Sequence, residues 1–175
     1  MSQATAIAIP LVFSDDERII RGIYSEYNLK KDKTLKANVY TLRSEEEGIS
    51  VVRLNYTTLD ECKKFLKSIE KPAVKKNYYG FGLIFAGGII ASSVLPVTTQ
   101  LHQKRADGME AHAEIYYLID GNHYCKHPKG SPMPAEISAV IDELLKRSKS
   151  YPDPDTNAEN WPGENLTSVD PPLAY

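Results

Sequence analysis

The sequence is poor in cysteine, has a single tryptophan and holds no hydrophobic run of membrane-spanning length. Its two cysteines, Cys62 and Cys125, stand 63 positions apart without a CxxC pair. That spacing argues against a disulfide framework or a standard zinc knuckle and makes reduced thiols the expectation. The most apolar stretch, Phe81 to Leu95, is 15 residues long and is interrupted by Gly82, Gly87, Gly88, Ser92 and Ser93, short of the ~18–20 residues that a spanning helix needs. No membrane partner is expected. The first residues lack the basic and apolar blocks of a secretory signal, so a cytoplasmic location is expected. Also missing are GxGxxG, P-loop, GxSxG and HExxH patterns, which demotes Rossmann dehydrogenation, nucleotide hydrolysis and serine-hydrolase chemistry.

Neither sign of charge dominates the 175 residues, with 21 Lys+Arg against 23 Asp+Glu. A strongly basic nucleic-acid wrapper is therefore excluded as a whole-chain description. The distribution is uneven, however. Residues 151–175 carry five acids, five prolines and no Lys or Arg, leaving residues 1–150 at +3. This reads as a globular body over 1–150 followed by an acidic, Pro-rich tail over 151–175 that buries too little apolar area to fold alone.

Two helices are legible. Thr58 caps a segment running Leu59 to Ile69, where Leu59, Cys62, Leu66 and Ile69 recur at helical spacing. From Pro134 to Ser148, Ile137, Val140, Ile141, Leu144 and Leu145 form a second apolar stripe. Ser14 to Glu17 fits a capping box, yet the β-branched residues of Arg18 to Tyr24 allow a strand equally. Strands are expected over Ile49–Tyr56, Tyr78–Ala86 and Ala113–Ile119. Gly87-Gly88 is read as a hairpin into Ile89–Val94, and Asp120-Gly121-Asn122 as a second hairpin into His123–Lys126. The reading is α+β, with a mainly antiparallel central sheet of about five or six strands and two or three covering helices.

All four histidines fall between positions 102 and 127. His112, Glu114 and Tyr116 alternate along one strand face, an arrangement able to place a general base, its orienting carboxylate and a proton donor together. Thr98 to Gly108 reads as a polar loop whose His102, Lys104 and Arg105 would suit a phosphate ligand. His102, His112 and Glu114 are the catalytic candidates of a small enzyme acting on a phosphodiester or nucleotide. Arg21, Ser50 and Glu114 are also the residue types that ADP-ribosyltransferase domains place on three strands around NAD, here without diagnostic spacing. No cofactor is assigned. His123, Cys125 and His127 would share one face of a continuous strand, the weak candidate for a metal site, and no metal is favoured.

Lys63, Lys64 and Lys67 on the first helix belong to a lysine group that continues through Lys71, Lys75 and Lys76, a candidate nucleic-acid surface. Trp161, Pro171, Pro172 and Tyr175 in the tail are candidate anchors for a protein partner. With no catalytic signature present, the sequence reading prefers an intracellular binding or adaptor protein. The histidine-dependent enzyme and the nucleic-acid module stand as alternatives.

Overall fold

Among the described residues seven strands form one sheet in which every pairing is antiparallel, in the order β4-β5-β2-β1-β3-β7 with β6 alongside β5. The computed structural model describes residues 8–71 and 76–171. In chain order the elements are β1 (Arg18–Tyr24), α1 (Ser25–Asn28), β2 (Ile49–Arg53), α2 (Leu59–Ser68), β3 (Tyr78–Phe85), α3 (Ala86–Ala91), β4 (Val97–Gln103), β5 (His112–Ile119), β6 (Asn122–Tyr124), α4 (Ala135–Arg147) and β7 (Lys149–Pro152). The fold is α+β. No helix among the described residues is long and apolar enough to cross a membrane.

Strand alternation sorts the core into two layers. One face carries Ile19, Ile23, Val51, Ile84, Ala113, Ile115 and Tyr117 and is covered by Ile137, Val140, Ile141 and Leu144 of α4. Burial of four such side chains supplies about 2 kcal/mol each. The opposite face carries Ile20, Val52, Phe81 and Leu83 and is covered by Cys62 and Leu66 of α2, together with Leu166 and Trp161 from the end of the chain. Helix α2 starts on a capping box in which Thr58 and Glu61 accept each other's backbone N–H, worth about 1 kcal/mol.

Three local expectations give way. Gly87-Gly88 lies inside α3 rather than in a hairpin. A Cβ on Gly87 would come within 2.9–3.3 Å of Asp15, so the glycine serves a close approach of the preceding chain. The stretch read as a loop, Thr98 to Gly108, begins as strand β4. Its polarity arises because Gln100 and His102 face solvent while Val97 and Thr99 are buried. The regular hairpin into β6 forms over Asp120 and Gly121, both at positive φ, but the strand ends at Tyr124.

Strand β7 straddles residue 150 and pairs with β3 from Gly80↔Pro152 to Leu83↔Lys149. Beyond β7 the chain stays on the sheet. The Lys63 ammonium and the Asp153 carboxylate pair at 2.8 Å with both side chains fully buried, and Lys63 also donates to the carbonyls of Asp155 and Asn160 at 2.8 and 2.9 Å. Trp161 packs 4.5 Å from Phe81 between ring centroids, Leu166 is fully buried, and Arg18 donates to the Val169 carbonyl. A segment too polar to fold alone is ordered here because α2 offers cations to its carbonyls and the sheet offers apolar surface to its few large side chains.

Candidate functional site

Helix α2 covers only part of its sheet face, and chemistry-bearing residues collect where that cover ends. Alternation brings Ser50 on β2 and His112, Glu114 and Tyr116 on β5 to this face, with Ser50 directly opposite Glu114 and Val52 opposite His112. His102 on β4 lies opposite Glu114 from the other side.

His112 is nearly buried, with the Phe65 ring of α2 edge-on at 6.4 Å. Its Nδ1 lies 2.6 Å from the Lys104 carbonyl oxygen, an atom that can only accept, so Nδ1 carries the proton. Nε2 is thereby left to accept the Ser50 hydroxyl proton, and the two atoms are 2.5 Å apart. Burial holds the imidazole below the ordinary histidine range, helped by the charges of Lys104 and Arg21 and opposed by the Lys104 carbonyl bond and Glu114. The ring is therefore neutral at neutral pH. Glu114 accepts from the Lys104 ammonium at 3.0 Å rather than from His112; that bond and the carboxylate's charge raise the Lys104 pKa.

Arg21 holds the serine strand. Strands β1 and β2 pair at Ile19↔Arg53 and Ile20↔Val52 and then part. In the gap the Arg21 guanidinium donates to the carbonyls of Ser50 at 2.6 Å and Val39 at 3.1 Å, replacing the missing ladder. The three strands expected to carry Arg21, Ser50 and Glu114 are thus adjacent, but Arg21 starts from the other face of the sheet and spends Nε and Nη1 on main chain within the gap. The gap opens as a cleft of about 130 Å³ lined by Arg21, Glu46, Ser50, Phe65, Leu66 and Lys76, among others.

The remaining candidates separate. His102 donates to Gln100 Oε1 at 3.0 Å and stacks on Tyr116 at 4.4 Å, and His123 stacks on the opposite side of that ring at 4.3 Å. His102 thus belongs to an exposed aromatic column beside the Ser50–His112 pair. Arg105 is exposed on the following loop. The metal candidates do not share a strand face. Lys126 at φ 53° turns the chain after β6, His123 donates to the Glu47 carbonyl, and His127 uses both nitrogens on the Tyr124 hydroxyl and the Ser131 carbonyl. No group of three or more ligating side chains converges among the described residues. Lys63 is buried and Lys67 donates to the Thr156 carbonyl at 2.7 Å, so of the three α2 lysines only Lys64 is an exposed cation. Trp161 is half-buried against Phe81, Pro171 is the last described residue, and Pro172 and Tyr175 lie outside the described residues.

The places of Phe65 and Lys76 at this cleft have no sequence signal. Phe65 fell outside the apolar stripe of α2, and no motif ties Lys76 to Ser50. The Ser50–His112 pair escaped as well, because a serine in mid-strand carries no elbow signature and its partner is 62 positions away. Comparison of the chain with family models, with curated proteins and with solved structures finds no match.

Proposed function

We propose that this protein is a small enzyme that cleaves an ester or phosphoester, with Ser50 as nucleophile and His112 as its general base. The observation that carries this reading is the hydrogen-bond chain from the Ser50 hydroxyl to His112 Nε2 and from Nδ1–H to the Lys104 carbonyl. It supplies what nucleophilic catalysis requires: a neutral base, in the correct tautomer, oriented by a third group and in contact with the hydroxyl. A backbone carbonyl takes the place that a carboxylate holds in the usual triad.

Ser50 Oγ attacks the electrophilic carbon or phosphorus while its proton passes to His112 Nε2. The ester bond breaks, and the departing alkoxide takes that proton. Water then attacks the Ser50 ester with His112 accepting its proton, and the serine oxygen leaves with the proton returned from Nε2. Arg21 positions Ser50 through its carbonyl, and Phe65 screens the imidazole.

The adaptor reading rests on an available tail, and Trp161 is engaged with Phe81. The nucleic-acid reading rests on lysines two of which are engaged with residues 153–160. The test uses p-nitrophenyl acetate, bis-p-nitrophenyl phosphate and a fluorophosphonate label read by mass spectrometry. Wild type should turn over at least one ester and take the label on Ser50. Ser50→Ala should lose the label, and Ser50→Ala and His112→Gln should each lose nearly all activity, up to about 10⁶-fold in rate. A folded wild-type protein that neither turns over nor labels overturns the assignment.

A further inference from the structure

We propose that the cleft between β1 and β2 binds a phosphate group of the substrate, held by Arg21 and Lys76 beside Ser50, with the charge of neighbouring Arg43 reinforcing the site. This rests on the Ser50–His112 reading and names the substrate class of the same site, a phosphodiester or nucleotide.

The cleft is cationic by construction. Lys71 and Lys76 exchange backbone hydrogen bonds of 2.9 and 3.1 Å, a bridge that fixes Lys76 where it lines the cleft. The charges of Arg43, Arg21 and Lys71 all bear on the Lys76 ammonium. Glu46 is the one carboxylate among the described residues lining the cleft, and Arg43 already engages it through its backbone N–H at 2.9 Å and its Nε at 3.8 Å. Arg21 places Nε and Nη1 on carbonyls, and among the described residues no acceptor meets Nη2. Cations gathered this way repel one another, and partial burial weakens their hydration. Burial and the neighbouring cations bring Lys76 down to about 8, a cost that a bound dianion would reverse.

Size and shape agree with a phosphate. The cleft, of about 130 Å³, has room for a phosphoryl group. Guanidinium and ammonium donors on two sides match the several acceptor oxygens of a phosphate better than the two of a carboxylate. Because Ser50 lines the same cleft, the anion it holds is the reacting phosphoryl group or its immediate neighbour.

Calorimetric titration of the full chain with inorganic phosphate, and separately with acetate, tests this. Wild type should bind phosphate, and acetate more weakly. Arg43→Gln and Lys76→Gln, both confirmed folded by circular dichroism, should each weaken phosphate binding by about 5–10-fold. Lys64→Gln on the outer side of α2 should leave it unchanged. Absence of phosphate binding, equal binding of acetate, or indifference to both Arg43→Gln and Lys76→Gln overturns the inference. Phosphate binding that behaves as expected while no ester is cleaved or labelled would sustain the anion site and remove the Ser50–His112 mechanism. Cleavage of a carboxyl ester without phosphate binding would do the reverse.

Discussion

Lys63 of α2 and Asp153, just beyond β7, form an ion pair at 2.8 Å in which neither side chain is reached by solvent. Removing one member of such a pair strands a charge in the interior, at a cost of about 3–5 kcal/mol, against a total stability of ~5–15 kcal/mol. Lys63→Met and Asp153→Asn should each lower the urea midpoint sharply, and the double variant should lose less than the sum of the two. A chain ending at Ser150 lacks Asp153 and half of β7 and should fail to fold. Additive single effects in the double variant, or a cooperative transition in the truncated chain, would contradict the packing described.

Gly80 enforces the same attachment from the sheet side. It has φ +154°, and a Cβ there would stand 2.3 Å from the Tyr151 carbonyl oxygen and 2.9 Å from the Asp153 nitrogen. Gly80→Ala must therefore strain the backbone and push β7 away. Gly121, at φ +79° with nothing within 4 Å, meets strain alone. Denaturation should show about 2–4 kcal/mol lost for Gly80→Ala and about 1 kcal/mol for Gly121→Ala. Limited proteolysis after Ser148 should accelerate only in the first.

How far such contacts can be read from sequence depends on the range of the interaction that creates them. The α2 cap, the α4 stripe and the Asp120-Gly121 turn are local patterns within a few residues, and they were legible. The bulge near Gly80 was not. The pairing of β1 with β3 shifts between Ile23 and Tyr24, so Tyr78 and Phe81 share a layer while Tyr79 crosses to the other, against the simple alternation of Tyr79 with Phe81. At the candidate site, the alternation of His112, Glu114 and Tyr116 could be read. The link from His112 to Ser50 and the gap filled by Arg21 depend on which strands lie side by side. At the acidic, Pro-rich end of the chain, the buried Lys63–Asp153 pair and the Lys67 bond to the Thr156 carbonyl join groups 89 or more positions apart, which composition alone does not show.

The two cysteines should differ in reactivity. Cys62 is fully buried under α2, and burial together with the Glu61 charge pushes its thiol up to about 12. Cys125 is half-buried after β6. Thiolate is the reactive form, so a maleimide or disulfide reagent at pH 8 should modify Cys125 in the native protein and Cys62 only once denaturant opens the fold. Rapid native modification of Cys62 would show that α2 opens locally.

The depressed pKa of His112 predicts both an activity limb and a stability limb. Its ordinary value of 6.5 applies in the unfolded chain, and burial lowers it in the folded one. Between those two values the unfolded state binds the extra proton, so stability present above pH 6.5 is lost as pH falls toward the folded value. Each pH unit of that window costs about 1.4 kcal/mol. Urea titrations from pH 7 downward should show this slope in wild type and a shallower one in His112→Gln, whose amide does not titrate. Ester cleavage depends on the neutral imidazole, so its rate should fall on the acid side with a midpoint below 6.5. A midpoint at or above the ordinary value, or an unchanged stability slope in His112→Gln, would mean that the ring titrates in solvent rather than beneath Phe65.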